Sequence, residues 1–285
     1  MRPVAVISKP QKEELKALLP ELVLWMREHG LDPILDPVSG EYTQTARIVE
    51  RHLLPAEKPE LVIVLGGDGT VLSAARVFVK TGTPILSVNL GSLGFLTEVR
   101  LADLYSTLEG WCRDCFTMDP RFMLHSELWR EGALFTEHEA LNDVVVAKGA
   151  IARMGDFRVT LDGQLAAAFR ADGVIIGTPT GSTAYSLAAN GPILVPDVDA
   201  LIVTPVCPHL LTLRPMVVRG DAKLSVKIEG IPDQTFLTVD GQEAIPLKVG
   251  DEVRCRRSDY SVKLMRLGAT GYFDVLRSKL KWGER

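Results

Sequence analysis

Apolar and polar positions follow two rhythms along the chain, and the change falls near residue 116. Val4 to Ile7 read as a short apolar strand. Leu15, Leu18, Leu19, Leu22 and Met26 recur at helical spacing, so residues 11–29 are expected as a helix. Pro20 is a kinking position inside it, and Gly30 is a C-cap. Residues 32–38 form a weaker strand broken by prolines, and 43–54 read as a second helix. Residues 61–65, LVIVL, are apolar at every position, as in a parallel strand buried on both faces. A glycine turn, a helix near 70–80, a strand over 84–88 and a helix over 101–111 follow. On that last helix Leu101, Leu104, Tyr105 and Leu108 share a face. Strand and helix in alternation predict βαβ units around a parallel sheet.

Beyond residue 116 the helical period stops. Glu131-Gly132, Asp162-Gly163 and Asp240-Gly241 are hairpin-type turn pairs. Residues 223–229 and 260–264 alternate strictly, as half-buried antiparallel strands do. Helical spacing returns at Phe273, Leu276 and Leu280. The expected fold is an α/β N-terminal domain with a Rossmann-like parallel sheet, then an all-β sandwich. The first takes residues 1–115 and 268–285, the second 116–267, and the tail helix returns to the N-terminal domain.

Composition narrows the classes. The 285 residues are 46% hydrophobic, enough for a sizeable core. Lys and Arg number 32 against 36 Asp and Glu, so charge argues for neither nucleic acid nor a membrane surface as partner. Four cysteines suit a reducing compartment, and no leader or spanning segment is read, so a soluble cytoplasmic protein is expected. Cys112 and Cys115 have C-x-x-C spacing without a second pair and read as free thiols. The five histidines lack metal-ligand spacing, and His209 reads as a packed structural residue.

Chemistry concentrates in four places. Gly66-Gly67-Asp68-Gly69-Thr70 lies where a buried strand hands over to a helix, the usual ligand edge of an open α/β sheet. Its glycines admit a phosphate, and a helix N-terminus favours one. A carboxylate there acts as a base, holds a metal, or merely caps the helix. The spacing is not a P-loop, and Leu72 occupies the third glycine position of GxGxxG. Gly91 to Thr97 form a second loop at the same edge, with Phe95 available to cover a ring or to fill the core. Asn142-Asp143 suits a diol or serves as a strand-entry turn. Residues 172–192, DGVIIGTPTGSTAYSLAANGP, run from a strand into a knot of small and hydroxylated residues, preceded by Arg170. In one strand Arg170 and Asp172 would share a face and pair as ions.

Together these segments, with Thr204 to His209 and Asp240-Gly241-Gln242, resemble the NAD kinases over most of the chain. The GGDG turn alone also resembles that of diacylglycerol and sphingosine-type lipid kinases and of phosphofructokinases; the block Thr178 to Ser186 is specific to NAD kinases. The resemblance implies transfer of the ATP γ-phosphoryl group to the 2′-hydroxyl of the adenosine ribose of NAD, making NADP and controlling the NAD/NADP balance. It implies Asp68 as general base and Gly69 near the phosphates. Asn142 and Asp143 would hold hydroxyls. Arg170, Asp172, Thr183, Ala184, Tyr185, Ser186, Leu187, Ala188 and Gln242 would line the NAD site, with Arg153 as a further nucleotide contact. Mg²⁺ would be bound through ATP phosphates rather than by protein ligands, and the chain would form a homodimer or homotetramer. Three residues depart from the family pattern: Asp143 for the usual Glu, Gly177 for a Ser, and Asn190 for a Gly. A lipid kinase would need an exposed apolar or basic face, and a non-catalytic NAD-binding regulator would be favoured if Asp68 were absent.

Overall fold

The computed structural model describes residues 1–43, 45–91, 93–149, 153–230, 235–266 and 271–282. Ser92 in the second loop and the expected domain break at 267–268 lie outside them. The chain divides into two compact units, Met1–Pro120 with Val262–Arg285, and Arg121–Ser261.

In the first unit the strands are Arg2–Ser8 (β1), Leu31–Leu35 (β2), Arg47–Ile48 (β3), Leu61–Gly66 (β4), Ile85–Asn89 (β5) and Val99–Arg100 (β6). All pair in parallel, in the order β3, β2, β1, β4, β5, with β6 beside β5. The helices are Leu15–Glu28 (α1), one turn at Pro37–Gly40 (α2), Asp68–Phe78 (α3) and Leu104–Cys112 (α4). The five residues predicted to face inward on α1 are all buried. They join Val4, Val6, Ile63, Leu65 and Val88 in one core cluster. Helix α1 runs through Pro20 and ends as expected, with Gly30 in the left-handed region at φ +75°.

The helix expected over 43–54 does not form. Its place is taken by β3 and a 3₁₀ helix, Arg51–Glu57. Thr43, Thr45, Ile48 and Val49 are β-branched and disfavour helix, and β2 offers the segment a sheet edge. Arg51 is then drawn to the fully buried Asp36, donating through Nε at 3.1 Å.

The second unit is built from antiparallel strands: Thr117–Arg130 (β7), Ala133–Ala140 (β8), Asp143–Lys148 (β9), Gly155–Leu161 (β10), Gln164–Ala171 (β11), Gly173–Gly177 (β12), Ala200–Val206 (β13), Met216–Arg219 (β14), Leu224–Gly230 (β15), Thr235–Val239 (β16), Glu243–Pro246 (β17) and Glu252–Arg266 (β18). One sheet runs β14, β13, β12, β9, β16, β17, and the other contains β11, β10, β15, β18, β7 and β8. Apolar residues of both, among them Val144, Val174 and Leu237 from one and Phe157, Val226 and Val253 from the other, form a single core. This is the face-to-face packing of a β-sandwich. The three predicted turn pairs all have positive φ at both residues, as type I′ hairpins require.

A helix of the second unit, Tyr185–Ala188 (α5), is a single turn. The last helix, Tyr272–Leu280 (α6), groups with the first unit. It buries Val275 and Leu276, whereas Phe273 is 55% exposed. The inward stripe expected at Phe273, Leu276 and Leu280 is therefore rotated, and only Leu276 of that set is buried. Among the described residues no helix is long and apolar enough to cross a membrane.

Candidate active site

In the first unit the chemistry gathers at the carboxyl ends of β4 and β5. Gly67 takes the N-cap position of α3 without a side-chain cap, and Asp68 is the first helical residue. The capping role considered for Asp68 is thus not what its carboxylate does. It reaches across to the second loop, where Oδ1 accepts from the Leu96 N–H at 3.0 Å and the Thr97 hydroxyl at 3.3 Å. Oδ2 accepts from the Phe95 N–H at 2.9 Å. An ionised carboxylate has about four acceptor positions, so Oδ2 keeps one for an incoming hydroxyl.

The supporting layer is equally ordered. Thr97 is fully buried, and its hydroxyl accepts from the Asn89 side chain and from the Gly94 N–H, both at 3.1 Å. Gly94 passes so near Asp68 that an added Cβ would stand 2.0 Å from Oδ1. Phe95 meets Asp68 through its backbone, with a half-buried side chain.

Beside the turn lies a cavity of about 200 Å³ lined by Lys9, Lys12, Gly66, Gly67, Asn89, Leu90 and Gly91. Sequence reasoning passed over the two lysines. Their signal was position, since Lys9 directly follows β1, at the same sheet edge as the glycine turn.

In the second unit Asn142, Asp143 and the start of the 178–186 segment meet at the start of β9, whereas Asp172 lies at its other end, beside Lys148. Gly177 at the end of β12 lies opposite Asp143. The segment that follows folds back onto the preceding residues. Thr178 donates its N–H to the Asn142 carbonyl at 2.9 Å and its hydroxyl to that of Leu141 at 2.6 Å. Gly181 lies flat on Asn142, where a Cβ would meet the carbonyl oxygen at 2.0 Å. This contact is the physical reason for the small residues in the knot.

Beyond it Ser186, fully buried, bonds Thr204 at 2.8 Å. Tyr185 is 45% exposed. Thr183, Ala184 and Leu187 are half-buried and Ala188 is exposed. The Asn142 carboxamide makes no hydrogen bond among the described residues, leaving a donor and an acceptor for a ligand. Asp143 is 4% exposed. Burial above all, and the Asp240 charge next, push its carboxyl up to about 7, while the Tyr185 N–H pulls the other way.

Arg170 and Asp172 do not share a strand. Arg170 is in β11 and Asp172 sits between β11 and β12, where the chain leaves one sheet for the other. Instead of pairing together, Arg170 pairs with Asp156 at 2.9 Å and Asp172 with Lys148 at 3.0 Å. His209, expected to be packed, is exposed, and among the described residues only its backbone is engaged, donating to the Arg170 carbonyl at 2.9 Å. Gln242 and Arg153 are exposed.

A larger cavity of about 380 Å³ in this unit, lined by residues including His125, Glu252 and Arg254, holds none of the predicted site residues. Within it Arg254 pairs with Glu252 and His125 bonds Glu139, each at 2.8 Å. Among the described residues no group of three or more His, Cys, Asp or Glu is gathered to hold a metal ion.

A parallel sheet bearing a glycine turn, a half-buried aspartate and a helix N-terminus, joined in one chain to a β-sandwich carrying a polar cluster at Asn142 and Asp143, defines a two-unit kinase of the GGDG type. Comparison narrows the class. Residues 4–116 match the ATP-NAD kinase N-terminal domain and 141–267 the ATP-NAD kinase C-terminal domain. An NAD kinase of Acidobacterium capsulatum is 72% identical, and one of Koribacter versatilis 52%, each over the full length of both chains. The chain belongs to the NAD kinase family, enzymes that phosphorylate NAD.

Among solved structures, yeast NADH kinase complexed with NADH superposes with a TM-score of 0.91 at 24% identity, covering 100% of this chain and 89% of that one. An NAD kinase from Archaeoglobus fulgidus in complex with ATP gives 0.75 at 21% identity, covering 98% of each. These two bear on the fold.

Proposed function

We propose that this NAD kinase uses Asp68 as the general base that takes the proton of the ribose 2′-hydroxyl as the ATP γ-phosphoryl group is transferred, yielding NADP. The observation that carries the assignment is the Asp68 carboxylate itself, clasped by the Phe95–Thr97 segment with one acceptor position on Oδ2 still open. Phosphoryl transfer asks mainly for positioning and charge neutralisation, and a positioned base adds about 10²–10⁴-fold. The phosphates are assigned to Gly69, the α3 N-terminus and the cavity bearing Lys9 and Lys12. NAD is assigned to Asn142, Asp143, Arg170, Asp172, Thr183 to Ala188 and Gln242, with Phe95 and Arg153 as further contacts.

Mg²⁺ is read as entering on the ATP phosphates. It usually keeps several waters and few protein ligands. Bound there, it would neutralise phosphate charge. Free thiols at all four cysteines suit the cytoplasm. A homodimer or homotetramer is the assembly expected, and Leu134, Phe135 and Leu165, each about half exposed, are apolar surface of the second unit available to it.

The test mixes the protein with NAD, ATP and Mg²⁺ and detects NADP through an NADP-specific dehydrogenase. Asp68→Asn is expected to keep NAD affinity and lose about 10²–10⁴-fold in kcat. Full turnover in that variant removes Asp68 as the base.

A further inference from the structure

Asp240 opens the hairpin turn between β16 and β17, with φ +50° followed by Gly241 at +63°. A turn of this type needs only a residue that tolerates the left-handed region, and Asn serves as well as Asp. Asp240 does more than turn the chain. It is 7% exposed, and its carboxylate receives three consecutive backbone N–H groups: Leu141 at 3.0 Å, Asn142 at 2.8 Å and Asp143 at 3.2 Å. Its own N–H donates to the Asp143 carbonyl at 2.9 Å.

Three donors on two oxygens require a carboxylate. An asparagine offers one oxygen and turns an NH₂ group toward donors. A buried carboxylate within reach of a second buried carboxylate, Asp143, is also costly, so packing alone does not explain its presence.

We propose that Asp240 is a positioning residue for the acceptor nucleotide. It holds the backbone of residues 141–143 from one side while the 178–181 segment holds it from the other, and so sets the Asn142 carboxamide and the Asp143 carboxylate in their binding geometry. This rests on the reading that Asn142 and Asp143 hold NAD. The groups that face Asp143 are the Asp240 carboxylate from the β16–β17 turn and Tyr185 of α5, which contributes its backbone N–H; β12 presents Gly177 and β16 presents Val239. Asp240 therefore acts on Asp143 twice, by fixing its backbone and by opposing its ionisation.

Asp240→Asn, assayed with NAD varied at saturating ATP, is expected to raise KM for NAD by about tenfold or more, as loss of hydrogen bonds to a charged group does. kcat and KM for ATP stay near wild type. The acid limb of the pH profile of kcat/KM for NAD also moves to lower pH, because Asp143 loses its charged neighbour. An unchanged KM for NAD overturns the proposal. So does a variant whose KM values for NAD and ATP rise together, with a lowered thermal midpoint and an unmoved acid limb, which is the mark of a purely structural turn. Asn142→Ala separates this result from failure of the underlying reading: if KM for NAD is unchanged there as well, the assignment of NAD to this pair fails first.

Discussion

At Asp143 stability and use pull in opposite directions. Its carboxyl is pushed up to about 7 from an ordinary value of 3.8, chiefly by burial. Below that ordinary value it is protonated in folded and unfolded chains alike and costs nothing. As pH rises toward 7 the unfolded chain loses the proton first, so stability falls through the window and the full penalty is present above 7. Asp143→Asn is therefore expected to raise the thermal midpoint by several degrees at mildly alkaline pH, a gain that fades toward pH 3.8. The same variant should lose NAD affinity, which calorimetric titration with NAD would measure.

Gly94 makes a second residue-scale prediction. Gly94→Ala must displace either Asp68 or its own loop, so kcat is expected to fall at least about tenfold in steady-state assays. The departures from the family pattern become intelligible at this scale. Asn190 has φ +63°, a conformation asparagine tolerates nearly as glycine does. A Cβ at Gly177 would find its nearest neighbour at 3.7 Å, so the site has room for the serine that the resemblance leads one to expect.

At the scale of elements, what could be read in advance was whatever local periodicity controls. The strand 61–65, the buried stripe of α1 and the three hairpin turns follow from the spacing of apolar residues and from Asp-Gly and Glu-Gly pairs. The segment 43–54 failed because its structure is decided by a sheet edge at β2 and a buried carboxylate at Asp36, neither of which lies nearby in the chain. The same applies to the site. Asp68, Asn142 and the 178–186 block stood out by composition and resemblance, whereas Asp240 was read as a turn residue within a segment of the same resemblance, with no role of its own. Only the fold brings its carboxylate to backbone about a hundred residues earlier.

Lys9 and Lys12 belong here too, as products of the β1 to α1 connection. Replacing both by Ala is expected to raise KM for ATP about tenfold or more while leaving KM for NAD nearly unchanged. Initial-rate kinetics with each substrate varied in turn would check this.

At the scale of the whole molecule, the chain allots a glycine-turn kinase motif to one unit and most of the residues proposed for NAD to the other. Sedimentation equilibrium is expected to report a homodimer or homotetramer, and a monomer at assay concentrations would remove that expectation.

The first unit is also discontinuous in sequence. Its sheet is finished by the end of β18, where Leu264 pairs in parallel with Ile85 of β5. On the ribosome that edge of β5 stays without its late partner until all of Arg121–Ser261 has been made. At ~5–20 residues per second the wait is about 7–30 s. Completion of the first unit thus waits on the second, and a chain broken off in the sandwich would leave an N-terminal piece whose β5 edge is covered by β6 at Val88 and Asn89 but open at Ile85, an exposed strand end of the kind that chaperones and proteases engage.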